Sequence, residues 1–161
     1  MGVPRQETFV HFGEILHQPK LDSKEDVIAI VYRARDGSVW AGTLSAGVSV
    51  LRNGRFTNYT VDQGLASSTV ASILEDSDGT IWFATPGGLT SFSKGRWESF
   101  RMRDGLPSEN IACLLQDSTG VLWMDTAAGI VFRDHESFRV PPRLPPDLAA
   151  PVLGIAEDRY G

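Results

Sequence analysis

Residues 73–85 read ILEDSDGTIWFAT: a short apolar run, an acidic turn that ends in glycine, and a β-branched run around a tryptophan. The same pattern surrounds Trp40 and Trp123, which lie 42 residues before and 41 residues after Trp82. Glycines and aromatic residues recur in the same register, at Gly37, Gly79, Gly120, Gly47, Gly88, Gly129, Phe56, Trp97 and Phe138. A self-similar period of about 40–45 residues predicts a repeat architecture.

Each copy divides into four strand-length segments. The run 80–85 is rich in the β-branched and aromatic residues that favour a pleated sheet. Glycine, proline, aspartate and serine mark the junctions between segments, as turns require. Four strands per copy are typical of a propeller blade, so the sequence predicts an all-β fold, a β-propeller fragment of about three and a half four-stranded antiparallel blades.

The period also predicts the boundaries of the copies. Residues 1–26 are expected to be the tail of a preceding blade with a long connecting loop, and residues 151–161 the first strand of a further, truncated blade. The blade repeats are predicted at 27–69, 70–110 and 111–150. Closing a ring takes at least ~4 blades. We therefore expect the 161 residues alone to aggregate, or to pair into a two-chain ring.

The repeated tryptophans and glycines have structural roles in this prediction. We expect Trp40, Trp82 and Trp123 to fill the space between adjacent blades, since a large aromatic side chain suits a joint between sheets. The glycines at 37, 79 and 120 are expected to take positive φ in the first hairpin of each blade.

Composition excludes several classes of protein. The net charge is −5, with no basic cluster for a phosphate backbone, so nucleic acid is not an expected partner. The single cysteine, Cys113, excludes an internal disulfide and a cysteine-based zinc cage. The longest apolar run, Val27–Tyr32, has six residues, whereas a membrane span needs roughly 20. Residues 1–7 carry no signal-peptide pattern.

At these positions the chain resembles the two-component regulator propeller repeat family. The matching residues of the second copy are Glu75-Asp76, Gly79, residues 81–85, Gly88-Leu89, Trp97, Phe100 and residues 104–107, which read DGLP. The first copy departs from the pattern with Arg33-Ala34 where an acidic pair is usual. The third copy departs at 141–146, where PPRLPP replaces the Asp-Gly-Leu turn.

The resemblance implies a propeller, often seven-bladed, in the sensing part of a bacterial two-component receptor outside the cytoplasmic membrane. The remaining blades of the parent chain are then its first partners, and a histidine kinase that starts a phosphorelay lies further along such chains. Several members of the family sense saccharides, so the resemblance also implies an oligosaccharide or other small polar ligand. The sequence contains no kinase elements, so we expect this segment to be non-catalytic by itself.

Propeller ligands meet loops at one rim, and the strand order places the connections before the first strand and between the second and third strands on one face. The candidate ligand-binding residues in those connections are His17, Lys20, Asp22, Asp62, Gln63, Asp104, Ser108, Glu109 and Asn110. The alternative is structural: 17–26 is a solvated loop, and the polar residues of 104–110 form turns by bonding their own backbone.

Catalytic and metal sites have little support in the sequence. The three histidines, His11, His17 and His135, form no set with a nucleophile or a second histidine. Residues 76–79, DSDG, resemble the start of a calcium loop, but the downstream glutamate is missing. We therefore expect no metal and no cofactor. The alternative function is a propeller enzyme, because the run 79–85 also resembles streptogramin lyases, which use a histidine and a divalent metal.

Overall fold

The structure is a computed structural model that describes residues 27–142, in which twelve strands form three four-stranded antiparallel sheets. The first sheet contains β1 (Ile28–Arg33), β2 (Val39–Thr43), β3 (Val48–Arg52) and β4 (Arg55–Tyr59). The second contains β5 (Ser72–Glu75), β6 (Ile81–Thr85), β7 (Gly88–Ser93) and β8 (Arg96–Phe100). The third contains β9 (Ile111–Gln116), β10 (Leu122–Thr126), β11 (Gly129–Asp134) and β12 (Ser137–Arg139).

Neighbouring strands in each sheet follow the order of the chain, as in a propeller blade, which confirms the predicted fold class. The partial blades predicted at 1–26 and 151–161 lie outside the described residues. Short 3-10 helices at Val61–Gln63 and Met102–Asp104 follow the fourth strands of the first two sheets. Within 27–142 no helix is long and apolar enough to cross a membrane.

The strand registers confirm that the tryptophans occupy equivalent places. Each tryptophan lies on the second strand, opposite a residue of the first strand: Trp40 opposite Tyr32, Trp82 opposite Leu74, and Trp123 opposite Leu115. Contacts between sheets join β1 to β5 and β5 to β9, so the first strands line one side of the stack. A closed propeller has its central channel on that side.

Two apolar cores lie between the sheets. In one, Trp40 and Val50 of the first sheet pack against Phe83 of the second. In the other, Trp82 and Leu89 of the second sheet pack with residues of the third, among them Leu114, Leu122 and Met124. Trp40 is 1% exposed and Trp82 is 4% exposed, so both fill the joints as predicted. Trp123 is half-buried and packs on Phe132 at a ring distance of 5.2 Å.

Glycine is required at the turns between second and third strands. Gly47 and Gly88 have φ of 81° and 127°, values that residues with a Cβ adopt at a cost. A Cβ on either would collide with the carbonyl oxygen of the residue that ends the sheet, Tyr59 or Phe100. The glycines of the first hairpins, Gly37, Gly79 and Gly120, also have positive φ, as predicted.

Candidate functional site

One end of the stack carries the connections in which the sequence placed the candidate ligand residues. We call the segments 44–47, 60–71, 86–87 and 101–110 the rim. Hydrogen bonds join them: the Gly47 amide donates to the Ser68 carbonyl at 2.8 Å, and the Thr69 hydroxyl donates to the Leu44 carbonyl at 2.7 Å. The two kinds of connection therefore share one face, as the strand order predicted.

An arginine joins the rim segments of the second sheet. The Arg101 guanidinium donates to the carbonyl oxygens of Gly87 at 2.8 Å and Ala66 at 3.0 Å. Its charge also lies 3.9 Å from the Glu109 carboxylate. Three rim segments are thus fixed to one another by one side chain, which sequence reasoning did not select. Its position directly after Phe100, the last aromatic residue of the copy, was the available signal.

Four of the candidate residues are engaged in local turns. The Gln63 side-chain oxygen accepts from the Thr60 amide at 2.8 Å, and the Asp104 carboxylate accepts from the Arg101 amide at 2.9 Å. These bonds cap the two 3-10 helices. The Ser108 hydroxyl accepts from the Asn110 amide at 3.2 Å, and the Glu109 carboxylate accepts from the Met102 amide at 3.1 Å.

Two of the candidates keep their side chains available. Asp62 and Asn110 are exposed, and within residues 27–142 neither side chain takes part in a hydrogen bond or an ion pair. The structure therefore brings a free carboxylate and a free amide to the same rim, one in each of two successive connections. The remaining candidates, His17, Lys20 and Asp22, lie outside the described residues.

The opposite end of the stack carries the hairpins between first and second strands. One carboxylate oxygen of Asp76 accepts from the amides of Asp78 and Thr80, both at 2.9 Å. Its other oxygen accepts from the indole N–H of Trp82 at 2.7 Å. Both carboxylate oxygens therefore accept hydrogen bonds within the hairpin, one from backbone amides and the other from the tryptophan indole. The part of the chain that the structure describes contains no group of three or more His, Cys, Asp or Glu side chains arranged to hold a metal.

Asp117 accepts the equivalent hydrogen bonds in the third sheet. Its carboxylate accepts from the Trp123 indole at 2.7 Å and from the amides of Thr119 and Val121, both at 2.9 Å. Burial by itself raises the pKa of this carboxyl, but the hydrogen bonds from Thr119, Trp123 and Val121 outweigh burial and lower the pKa to about 2. The first sheet has Ala34 at this position, and there the Ser38 hydroxyl accepts from the Trp40 indole at 3.0 Å.

Polar contacts also join successive sheets at this end. The Arg35 amide donates to the Glu75 carboxylate of the next sheet at 2.7 Å. One repeat later, the Ser77 amide donates to the Gln116 side-chain oxygen, also at 2.7 Å. These equivalent bonds hold neighbouring blades in register, and the acceptor can be either a carboxylate or an amide.

The comparison with protein families agrees with this arrangement. Residues 64–87 and 105–128 match the family model of the two component regulator propeller. These two segments are therefore similar to two component regulator propeller repeats. The two matches have equivalent places in successive repeats, since each begins in the rim and ends just after the second strand of the next sheet.

Solved structures share the fold of these propeller repeats. An extracellular domain from B. thetaiotaomicron, ascribed to a hybrid two component system, is 23% identical, with a TM-score of 0.65 over 77% of this chain and 18% of that chain. A catalytically inactive virginiamycin B lyase from Staphylococcus aureus, with quinupristin, is 20% identical, with a TM-score of 0.59 over 77% of this chain and 45% of that one.

PorZ, a surface component of the type-IX secretion system of Porphyromonas gingivalis, is 22% identical, with a TM-score of 0.51 over 65% of this chain and 17% of that chain. At such identities the likeness shows the fold alone. The propeller repeats span less than half of the length of each of these three proteins. Among curated proteins, none matches the sequence significantly.

Proposed function

We propose that this chain is a ligand-sensing segment of a larger bacterial two-component receptor, situated outside the cytoplasmic membrane and non-catalytic by itself. The family of its repeats and the extracellular domains that share its fold support this role. The proposed partners are the remaining blades of the parent chain and an oligosaccharide or other small polar ligand. A histidine kinase elsewhere in the parent would carry the signal into a phosphorelay.

The observation that carries the proposal is the pre-organised rim. Hydrogen bonds from Gly47, Thr69 and Arg101 fix the rim segments to one another without using the side chains of Asp62 and Asn110. A ligand that meets a rigid surface loses less free energy to ordering the protein. A carboxylate and an amide also supply the acceptors and donors that hydroxyl-rich ligands need.

Calorimetric titration of the intact protein with a panel of oligosaccharides tests this proposal. We expect a binding ligand whose affinity falls at least tenfold in the double variant Asp62→Ala, Asn110→Ala. Asp78→Ala is the matched control, because Asp78 is also an exposed carboxylate but lies in a hairpin at the other end of the stack. Equal affinity in the double variant and the control would refute binding at the rim.

Product analysis of the same mixtures separates sensing from catalysis. The alternative, a propeller enzyme, is favoured by the fold that the chain shares with virginiamycin B lyase. A sensor leaves its ligand unchanged over the course of the titration. Accumulation of product that disappears in the variant His17→Ala would instead establish the enzyme.

A further inference from the structure

An arginine occupies a position between the second and third sheets where the preceding interface has an aromatic residue. Phe92 pairs with Ile81 and Trp97, and Arg133 pairs in the same register with Leu122 and Phe138. Phe92 packs on Trp40 with a ring distance of 5.4 Å. The Arg133 guanidinium carbon lies over two rings of the second sheet, 5.1 Å from the centre of Trp82 and 5.6 Å from that of Phe100.

The Arg133 guanidinium has no polar partner within residues 27–142. Its Nε is buried and makes no hydrogen bond. None of the ion pairs in the described part of the chain includes Arg133. A buried N–H group without a partner is rare in proteins and costs free energy. The interaction with the two rings stabilises the charge but gives the buried Nε–H no acceptor within the described residues.

Arg133 lines a groove of about 400 Å³ that runs between β8 and the hairpin of β11 and β12. The groove is lined by Glu98, Ser99, Phe100, Asp104, Arg133 and Glu136. Asp104 is already engaged in the rim, but Glu98 and Glu136 are exposed and unpaired within the described residues. The groove thus presents one unpaired cation and two unpaired carboxylates that do not neutralise one another.

We propose that this groove binds a zwitterionic ligand, an amino acid or a short peptide. The ligand's carboxylate would take two parallel hydrogen bonds from the planar guanidinium of Arg133. Its ammonium group would donate to the carboxylates of Glu98 and Glu136. A simple anion would be repelled by the two carboxylates, and a simple cation by the guanidinium. The groove shares Asp104 with the rim but is lined by neither Asp62 nor Asn110, so this inference stands or falls independently of the function proposed above.

Ligand-detected NMR on the intact protein, with glycylglycine as the probe, tests the proposal. We expect glycylglycine to bind, and acetate and methylammonium each to bind at least tenfold more weakly. The variant Arg133→Phe places at this position the aromatic side chain that Phe92 supplies in the preceding interface. It should therefore fold with an unchanged or higher unfolding midpoint and lose at least tenfold in affinity.

Two further variants locate the contacts. Glu136→Gln should lower the affinity severalfold by removing one partner of the ammonium group. Arg139→Ala is the control, because Arg139 lies on the same hairpin, does not line the groove and pairs with Asp134 at 3.1 Å; its affinity should be unchanged. If Arg133→Phe fails to fold, Arg133→Lys tests the same contact, since it keeps the charge but not the paired donors, and its affinity should fall at least threefold.

The proposal is overturned if glycylglycine does not bind the intact protein, or if acetate binds as tightly as glycylglycine. It is also overturned if Arg133→Phe, or Arg133→Lys in its place, binds glycylglycine with unchanged affinity. In those cases Arg133 makes only cation–π interactions with the rings of Trp82 and Phe100.

Discussion

The interface between the first and second sheets is aromatic, whereas the one between the second and third is largely aliphatic and contains an arginine. Five rings meet in the first, with centres 4.7 to 6.5 Å apart. In the second, Leu122 and Met124 belong to the same core as Trp82, and the Arg133 guanidinium lies over the Trp82 ring. The strand registers are nevertheless equivalent. The two interfaces therefore share the backbone register and a tryptophan on the second strand. The side chains that face the tryptophan differ, as packing allows when the space between the sheets is still filled.

The largest expected effect comes from removing the tryptophan of either interface. Trp40→Ala and Trp82→Ala should each lower the free energy of unfolding by about 3–5 kcal/mol, because both delete a buried aromatic side chain. Trp40 should be the more costly, since four other rings lie within 6.5 Å of it. Urea unfolding of a protein with a closed propeller measures this. A loss under about 1 kcal/mol would indicate an exposed side chain.

Exchanging the residues that distinguish the interfaces tests the comparison directly. Phe92→Arg should cost about 1.5–3 kcal/mol, because it removes apolar area from the aromatic cluster and places a charge there. Thermal unfolding of this variant beside Arg133→Phe provides the measurement. If Phe92→Arg is as stable as the natural sequence, the two interfaces are interchangeable and the distinction between them has no energetic meaning.

The hairpins between first and second strands differ in the side chain that accepts a hydrogen bond from the tryptophan indole. We expect this difference to have a smaller effect on the free energy of unfolding. Asp76→Ala leaves three donors without their acceptor and should cost about 1–3 kcal/mol, whereas Ser38→Ala removes one acceptor and should cost about 1 kcal/mol. Urea unfolding compares them. An equal cost for both substitutions would contradict the idea that the aspartate stabilises the hairpin as well as the indole.

Acid should weaken the third sheet through Asp117. The pKa of this carboxyl falls from an ordinary value of 3.8 to about 2 in the folded protein. Its contribution to stability is therefore complete above about pH 4 and is lost as the pH falls towards 2, where the folded state also takes up the proton. Asp117→Asn should abolish this part of the pH dependence. Unfolding midpoints measured between pH 5 and pH 2 would show it, and identical curves for the two proteins would refute it.

The smallest expected effect belongs to an exposed ion pair. Arg52 lies 3.0 Å from Asp36, and both side chains are about half exposed. Arg52→Ala should change the free energy of unfolding by less than about 1 kcal/mol, because water and salt screen such pairs. A larger loss in urea unfolding would show that this pair stabilises the first hairpin, where Asp36 also accepts from the amide of Ser38.

Periodicity was sufficient to predict the fold, because each strand, turn and tryptophan recurs at the same position. It was not sufficient for the contacts that join repeats. From the sequence, Asp76 could belong to a calcium loop or to a turn. The pattern alone does not show that its carboxylate accepts a hydrogen bond from the Trp82 indole. The role of Arg101 depends on carbonyl groups up to 35 residues away, which no local pattern encodes. For the rim, sequence identified polar side chains but not which of them the turns would occupy.

The hydrogen bonds from Arg35 to Glu75 and from Ser77 to Gln116 have a consequence for how such a chain lengthens or shortens. Each bond takes its donor from one repeat and its acceptor from the next. A deletion that begins and ends at equivalent points of two repeats preserves every donor–acceptor pair, whereas one of any other length leaves a donor facing the wrong residue. Gene duplication and loss should therefore proceed in whole units of 41 or 42 residues, the spacing of the tryptophans.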